Sequence, residues 1–261
     1  MQQGNDRIIN VLADRQVVKR IAIIGNQHFV HYSCMGRFMA PSTDLSIVLS
    51  GEAGQGLKTL EVIFAKIAKQ SGFHVFTYTE FMSRIRGGNN TTEIRVSSQP
   101  CHAFVDRIDI AVSLQKDGLT RIADRIAAST IIIGDEASVG ASFKDRAGVH
   151  RVSLAAMAKE SGGAILLNAV VLGMLCALLC FDRSLSVAVL RKSLKRQDPE
   201  TLAKNESAFD KGFVQGEAIR NAGGLACGLP SHAPVADDVL LYGSDSIAIG
   251  ALAGGCNFIA S

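Results

Sequence analysis

A glycine-rich turn between an apolar run and an amphipathic stretch constrains this chain more than any other feature. Residues 45–49 read LSIVL and are apolar apart from Ser46, residues 50–56 read SGEAGQG, and helical spacing follows. Glycine has no Cβ atom, so Gly51, Gly54 and Gly56 can adopt positive φ and let a ligand approach the amide N–H groups that begin the next helix. The pattern therefore predicts a strand, a phosphate-binding loop and a helix. A tight packing turn without a ligand is the alternative.

A second glycine loop lies about thirty residues further along the chain. Residues 83–90 read SRIRGGNN and join two apolar, alternating runs at 73–78 and 92–96, which are typical of strands. Arg84 and Arg86 supply planar, permanently charged donors beside paired glycines, a combination that suits phosphate or carboxylate groups. A solvated basic turn is the alternative interpretation.

The order of apolar runs and helical segments predicts the fold class. From Asp44 onward, strands alternate with helices over short connections. This order predicts an α/β fold, namely a doubly wound, mostly parallel sheet with helices on both faces. Ligands of such sheets bind beyond the carboxyl ends of the strands, and we expect both glycine loops at that edge.

Charge and hydropathy exclude some classes of partner. The chain has 27 Lys and Arg against 24 Asp and Glu, too balanced and too dispersed for a nucleic-acid-binding surface. The run at 164–181 is apolar apart from Asn168 and long enough to raise the question of a membrane span. Because glycines and charged residues flank it, we predict a buried core helix and no membrane contact. No signal-peptide pattern is present, so we expect a cytoplasmic protein.

Metal sites and catalytic groups are not predicted. The six cysteines show no Cys-x-x-Cys spacing, so we expect this chain to hold neither an iron–sulfur cluster nor a structural zinc ion. His74 and His102 are isolated, and Asp135 with Glu136 is more typical of a polar strand end than of a metal site. We assign no catalytic acid or base.

The first loop also permits two nucleotide-binding interpretations. Gly51 and Gly56 have the separation of a P-loop, but Leu57 stands before Lys58, and one residue rotates a helical side chain by about 100° away from the phosphates. A dinucleotide-binding loop needs the order Gly-x-Gly-x-x-Gly, whereas this loop reads Gly-x-x-Gly-x-Gly. Glu80 is more typical of a loop anchor than of a ribose-binding acid. A degenerate P-loop protein stays as the less favoured alternative.

The two loops, in this order, resemble the γ component of the 2-oxoacid:ferredoxin (2-oxoacid:acceptor) oxidoreductases, the family of the pyruvate and 2-oxoglutarate enzymes. Residues 44–56 are similar to the family's opening strand and glycine loop, and residues 81–91 to its Ser-x-Ile-Arg-Gly-Gly-x-Asn signature. Residues 242–258 are similar to the beginning of the α component, the thiamine-pyrimidine domain. The two residues before Ser83 depart from the family pattern, in which a proline is common there.

The resemblance, which covers about residues 44–215, implies four parts. Residues 1–43 are an N-terminal extension that we expect to be disordered or a loosely attached strand. Residues 44–215 form the γ-type α/β domain, residues 216–240 an interdomain linker, and residues 241–261 the start of a truncated α domain. We therefore expect the isolated chain to be catalytically inactive.

The resemblance also implies a function within a complex. Such complexes decarboxylate a 2-oxoacid on thiamine diphosphate, pass electrons through iron–sulfur clusters to ferredoxin and form acyl-coenzyme A. The implied partners are the α and β components, which would carry thiamine diphosphate, magnesium and the clusters, while this chain alone binds none of them. A non-catalytic assembly domain is the alternative. Coenzyme A is the expected ligand, and its candidate binding residues are Gly51, Gly54, Gln55, Gly56, Ser83, Arg84, Arg86, Gly87, Gly88 and Asn89.

Overall fold

The computed structural model describes residues 44–52, 54–81, 88–143, 145–222 and 229–257. Within them, the strands are β1 (Asp44–Glu52), β2 (His74–Glu80), β3 (Asn89–Ser97), β4 (Ile110–Ser113), β5 (Ile131–Gly134) and β6 (Val149–Arg151). The α-helices are α1 (Leu57–Gln70), α2 (Glu136–Val139), α3 (Leu154–Glu160), α4 (Leu167–Leu178), α5 (Arg183–Ser193), α6 (Pro199–Asn221) and α7 (Gly243–Ala253). Short 3₁₀ helices occupy Thr120–Arg125, Ala141–Phe143, Ala164–Leu166 and Ala233–Asp237.

The strands form one mixed sheet in the order β2-β3-β1-β4-β5-β6. β1, β4, β5 and β6 are parallel, and β3 runs antiparallel to both of its neighbours, β1 and β2. β2 consequently has the direction of β1, so the connections that follow β1 and β2 leave the same edge of the sheet. The predicted α/β fold with a mostly parallel sheet is confirmed, and β3 is its antiparallel exception.

The central strands bury side chains on both faces of the sheet. Because successive strand residues point to opposite faces, Ile47 and Leu49 join one apolar core and Val48 joins another. The larger core packs against α1, α3, α4, α5 and α6. The smaller core is covered by the 3₁₀ helix Thr120–Arg125 and by α2, which contribute Ile122 and Val139. Helices lie on both faces as predicted, but one of the two layers is built from short elements.

The predicted buried core helix is confirmed in α4, which is buried at every position from 169 to 178. In the part of the chain that the structure describes, no single helix is long and apolar enough to cross a membrane. The bent pair of α3 and the helical residues 164–178, with 120° between its parts, meets the length and composition criteria only when the two are taken together.

Glycines allow α4 and α6 to pack with their backbones in contact. A Cβ atom on Gly173 would lie 2.0 Å from the Phe209 carbonyl oxygen, and one on Gly212 would lie 1.8 Å from the Val170 carbonyl oxygen. Both distances are far below van der Waals contact, so any side chain at either position would force the helices apart. This glycine contact fixes α4 against the longest helix of the described chain.

α6 begins at a favourable cap and runs past the residue at which the linker is predicted to begin. The Asp198 carboxylate accepts a hydrogen bond from the Thr201 N–H at 2.9 Å, and Pro199 is the first helical residue, a favourable helix start. Residues 216–221, the beginning of the predicted linker, belong to α6, which continues to Asn221. Gly216 is a packing residue, since a Cβ there would lie 2.4 Å from the Met174 carbonyl oxygen. The domain boundaries themselves stay predictions.

We expect Gly212→Ala to destabilise the protein by about 3 kcal/mol, the upper end of the usual range for overpacked cores, because two helix backbones must separate. Gly250→Ala in α7 is the matched control, since a Cβ there meets nothing within 4 Å. The control is expected to be neutral or to stabilise by up to about 1 kcal/mol. Urea unfolding of both variants measures the difference. Equal free energies of unfolding for the two variants would contradict the close helix contact.

Candidate functional site

The first glycine loop lies at the point where the chain changes direction across the sheet. From β1 the chain continues to β2 on one side, and after β3 it continues to β4 on the other side. In open α/β sheets, the crevice beyond the carboxyl ends of the strands at such a point is the usual ligand site. The register places Glu52 opposite Asn89 and Glu80 opposite Thr91, so the described ends of both glycine loops lie at this edge.

Two of the three loop glycines adopt the left-handed backbone conformation. Gly54 has φ +92° and Gly56 has φ +78°, values that residues with a Cβ atom rarely adopt. Gly51 stays in β1 as an extended strand residue, so the expectation of positive φ is wrong there. A glycine is needed at position 51 for lack of space, since a Cβ atom on Gly51 would lie 2.6 Å from Gln55 Oε1.

The first turn of α1 has no side-chain cap among the described residues. Gly56 is the N-cap residue, it has no side chain that could accept a hydrogen bond, and the first turn contains no acidic residue. The first N–H groups of a helix have no partner within the helix and carry about half a positive charge together. Such a helix start binds anions.

Polar contacts hold the loop in shape without a ligand. Gln55 Oε1 accepts a hydrogen bond from the Glu52 N–H at 2.8 Å, and the Gln55 carbonyl accepts one from Asn168 Nδ2 at 2.7 Å. Asn168 belongs to the first turn of α4, so the loop is tied to the buried helix layer. Asn168 Oδ1 is buried and has no hydrogen-bond partner in the described structure.

The second loop joins the first through its last residues. Gly88 has φ +123° and Asn89 begins β3. Asn89 Nδ2 donates a hydrogen bond to the Gly118 carbonyl at 2.8 Å. The Ser50 hydroxyl lies within hydrogen-bonding distance of two acceptors, Asn89 Oδ1 and the Gly118 carbonyl, of which the second is 2.6 Å away. A hydroxyl has one proton, so Ser50 donates to one of these acceptors at a time. The remaining candidates of this loop, Ser83, Arg84, Arg86 and Gly87, lie outside the described residues.

An arginine that the sequence analysis did not identify lies beside this junction. Arg121 Nη2 forms an ion pair with Glu80 Oε1 at 2.7 Å, and its Nη1 donates to the Asn89 carbonyl at 3.3 Å. Its side chain is partly exposed. Glu80 and Arg121 thus connect the end of β2 with the beginning of β3 at the carboxyl edge of β1 and β2.

Lys58 does not act as a P-loop lysine in this structure. Its Nζ lies 2.9 Å from Glu61 Oε1 and 4.7 Å from the centre of the Tyr242 ring. The buried Glu61 also accepts hydrogen bonds from Thr77 at 2.6 Å and Thr79 at 3.1 Å. Burial, together with nearby carboxylates, raises the pKa of Tyr242 to about 12. The lysine thus belongs to a structural cluster, which agrees with the lower preference given to the P-loop interpretation.

The other polar candidates are dispersed. Glu136 forms an ion pair with Arg151 at 2.7 Å, and Asp135 precedes α2, where burial raises the pKa of its carboxyl group. His74 begins β2, and burial lowers the pKa of its imidazole. Across the described ranges, no group of three or more His, Cys, Asp and Glu residues could hold a metal ion.

The residues that sequence reasoning missed are those that act through the tertiary fold. Gly118 and Arg121 lie between β4 and β5 in an otherwise unremarkable polar stretch, and no sequence pattern marks them. Asn168 gave a usable signal, because it is the one polar residue in an 18-residue apolar run. A buried polar side chain needs a partner, and here that partner is the glycine loop.

Comparison with known proteins shows the family. The family described as pyruvate ferredoxin/flavodoxin oxidoreductase matches residues 46–215, and the chain belongs to it. The ketoisovalerate oxidoreductase subunit VorA of Methanothermobacter thermautotrophicus is 30% identical over 138 residues, which make up 52% of this chain and 28% of VorA. The chain therefore spans little more than a quarter of that relative.

Solved structures agree with this membership. The 2-oxoglutarate:ferredoxin oxidoreductase from Magnetococcus marinus, solved with 2-oxoglutarate, coenzyme A and succinyl-CoA bound, matches with a TM-score of 0.74 at 25% identity over 82% of this chain and 38% of its own. The γ subunit of a keto/oxoacid ferredoxin oxidoreductase from Geobacter sulfurreducens matches with a TM-score of 0.57 at 23% identity, over 68% of this chain and 98% of its own. The second likeness shows that the chain has the fold of a γ subunit.

Alanine substitutions at the two left-handed glycines, Gly54 and Gly56, distinguish the cost of backbone strain from the cost of a clash with Asn168. Gly54→Ala is expected to cost about 1 to 2 kcal/mol of stability, the cost of left-handed backbone with a Cβ atom, because nothing lies within 4 Å of the added atom. Gly56→Ala is expected to cost more, since its Cβ would lie 2.6 Å from Asn168 Nδ2. Urea unfolding measures both free energies.

A double variant tests the origin of that difference. In an Asn168→Ala background, Gly56→Ala is expected to cost no more than Gly54→Ala, because the clashing amide is gone. An unchanged excess cost in that background would show that the contact with Asn168 does not constrain the loop.

Proposed function

We propose that this chain is the γ-type portion of a 2-oxoacid:ferredoxin oxidoreductase complex. The complex would decarboxylate a 2-oxoacid oxidatively, transfer the acyl group to coenzyme A and reduce ferredoxin. Family membership over residues 46–215 supports this assignment. The proposed partners are the α and β components, which would carry thiamine diphosphate, magnesium and the iron–sulfur clusters. We expect the isolated chain to be inactive.

The observation that carries the coenzyme A proposal is the uncapped start of α1 at the switch point of the sheet. The pyrophosphate and 3′-phosphate of coenzyme A are anions that the free N–H groups of this helix start could bind. Arg121, in its ion pair with Glu80, lies at the same edge and is a further donor within this region. The Magnetococcus relative, which carries coenzyme A, supports the choice of ligand.

The chain's own residues would act by holding the ligand in place. Asn168 and Gln55 hold the loop through hydrogen bonds, and a loop ordered by its own contacts loses less entropy when it binds a ligand. Asn89 connects the second loop to the same junction through Gly118, so a phosphate contact by Arg84 or Arg86 would be made from an anchored loop. We assign no proton transfer to the described residues.

A second candidate function, an assembly domain without a ligand, is favoured by the exposure of α7. No residue of this helix is buried, and Ile247 is 75% and Leu252 62% exposed. An exposed apolar helix of this kind fits a surface that a partner component of the complex covers. The glycine loops would then contact partner side chains.

A binding titration on the assembled complex separates the two candidates. Arg86→Ala is expected to weaken coenzyme A binding by roughly 1 to 3 kcal/mol, because a charge-assisted phosphate contact is lost. Isothermal titration calorimetry measures the affinity. Arg183→Ala is the control, since this arginine pairs with Asp210 at the start of α5, far along the chain from both loops, and should leave the affinity unchanged.

The assembly candidate predicts a different result for the same substitution. If the second loop only contacts a partner, Arg86→Ala should weaken association of the subunits and leave coenzyme A affinity intact, as measured by sedimentation velocity. An unchanged affinity in a verified complex would overturn the coenzyme A proposal.

A further inference from the structure

A basic pocket lies at the end of α1 that is remote from the glycine loop. It has a volume of about 670 Å³ and is formed by the last turns of α1 and α5 with the residues that follow α5. No Asp or Glu lines it in the described structure. Its five cationic side chains are those of Lys66, Lys69, Lys192, Lys195 and Arg196.

The basic pocket has more positive charge than is needed to compensate the negative ends of the two helix dipoles. Cations are common near helix C-termini, because each terminus carries about half a negative charge. α1 and α5 both end at this pocket, so their two termini supply about one negative charge. Five cations therefore leave an excess of roughly four positive charges on one concave surface, more than stabilisation of the two helices requires.

Neighbouring groups do not neutralise this excess. Lys69 Nζ donates to the carbonyl of Ala236, which carries no net charge. The other four cations form no ion pair with the described residues. Of the acids close by in the sequence, Glu206 pairs with Arg191, and Asp198, which caps α6, can offset at most one of these charges.

The lining favours a small organic ligand over a bare ion. Val189, Leu194 and Leu240 contribute apolar surface beside the cations. A concave site with both apolar walls and convergent charges is typical of small-molecule pockets. We propose that the basic pocket binds a small organic molecule that carries two or more phosphate groups.

This site is separate from the glycine loop. α1 has 14 residues between the two, and at 1.5 Å per residue the helix holds them about 20 Å apart. The two sites also use different chemistry, since the glycine loop offers backbone N–H groups and the basic pocket offers lysine and arginine side chains. The failure of either proposal therefore leaves the other intact.

The experiment is a calorimetric titration of the full 261-residue chain with inorganic tripolyphosphate and with ATP at low salt. We expect saturable binding of both probes, tighter than that of orthophosphate by at least tenfold, and tighter for ATP because of the apolar walls. Lys192→Gln/Lys195→Gln should weaken both by at least tenfold. Lys116→Gln/Lys159→Gln removes the same charge elsewhere and should change affinity by less than twofold. Thermal unfolding verifies that each variant is folded.

Several results would overturn the proposal. Equal losses of affinity in the two double variants would show a general effect of net charge. Orthophosphate binding as tight as tripolyphosphate would remove the requirement for several phosphates. A poly-glutamate peptide that binds more tightly than ATP would make this surface a docking site for an acidic protein segment instead.

Discussion

One hydrogen bond connects the packing of this protein to its candidate site. Asn168 Nδ2 donates to the Gln55 carbonyl at 2.7 Å, and through it the glycine loop takes its position from the buried helix α4. That helix cannot shift independently, because Gly173 and Gly212 bring its backbone against α6. The position of the first glycine loop therefore depends on a backbone contact between two helices, α4 and α6, in the core.

The sheet applies a second constraint to the same site. β3 pairs with β1 over nine residues, from Asp44↔Ser97 to Glu52↔Asn89, so a slip in register would separate the two loops. The contacts of Asn89 with Ser50 and Gly118 add side-chain bonds at the end of this pairing. Loop position therefore depends on strand register as well as on helix packing.

The parts of the structure that could be predicted are those with local signals. The apolar run of β1, the glycines after it and the capping residues Asp198 and Pro199 each specify their own conformation, and the structure agrees with them. Gly216, the first residue of the predicted linker, lies inside α6, since glycine marks a helix end in one context and a close helix contact in another. Only the presence of α4 opposite it decides between these.

The candidate site was predictable in part for the same reason. The left-handed Gly54 and Gly56 follow from a strand, a turn and a helix in succession. Arg121 and Gly118 could not be identified, because they reach the site through the pairing of β4 beside β1 and through no pattern of their own. Tertiary neighbours of this kind need the fold before they can be named.

The most direct test of the account is a structure of the assembled complex with coenzyme A bound, determined by electron cryomicroscopy. We expect a coenzyme A phosphate about 3 Å from backbone nitrogens at the start of α1, with Asn168 still bonded to the Gln55 carbonyl. Coenzyme A phosphates bound elsewhere, with the glycine loop contacting only a partner subunit, would contradict it.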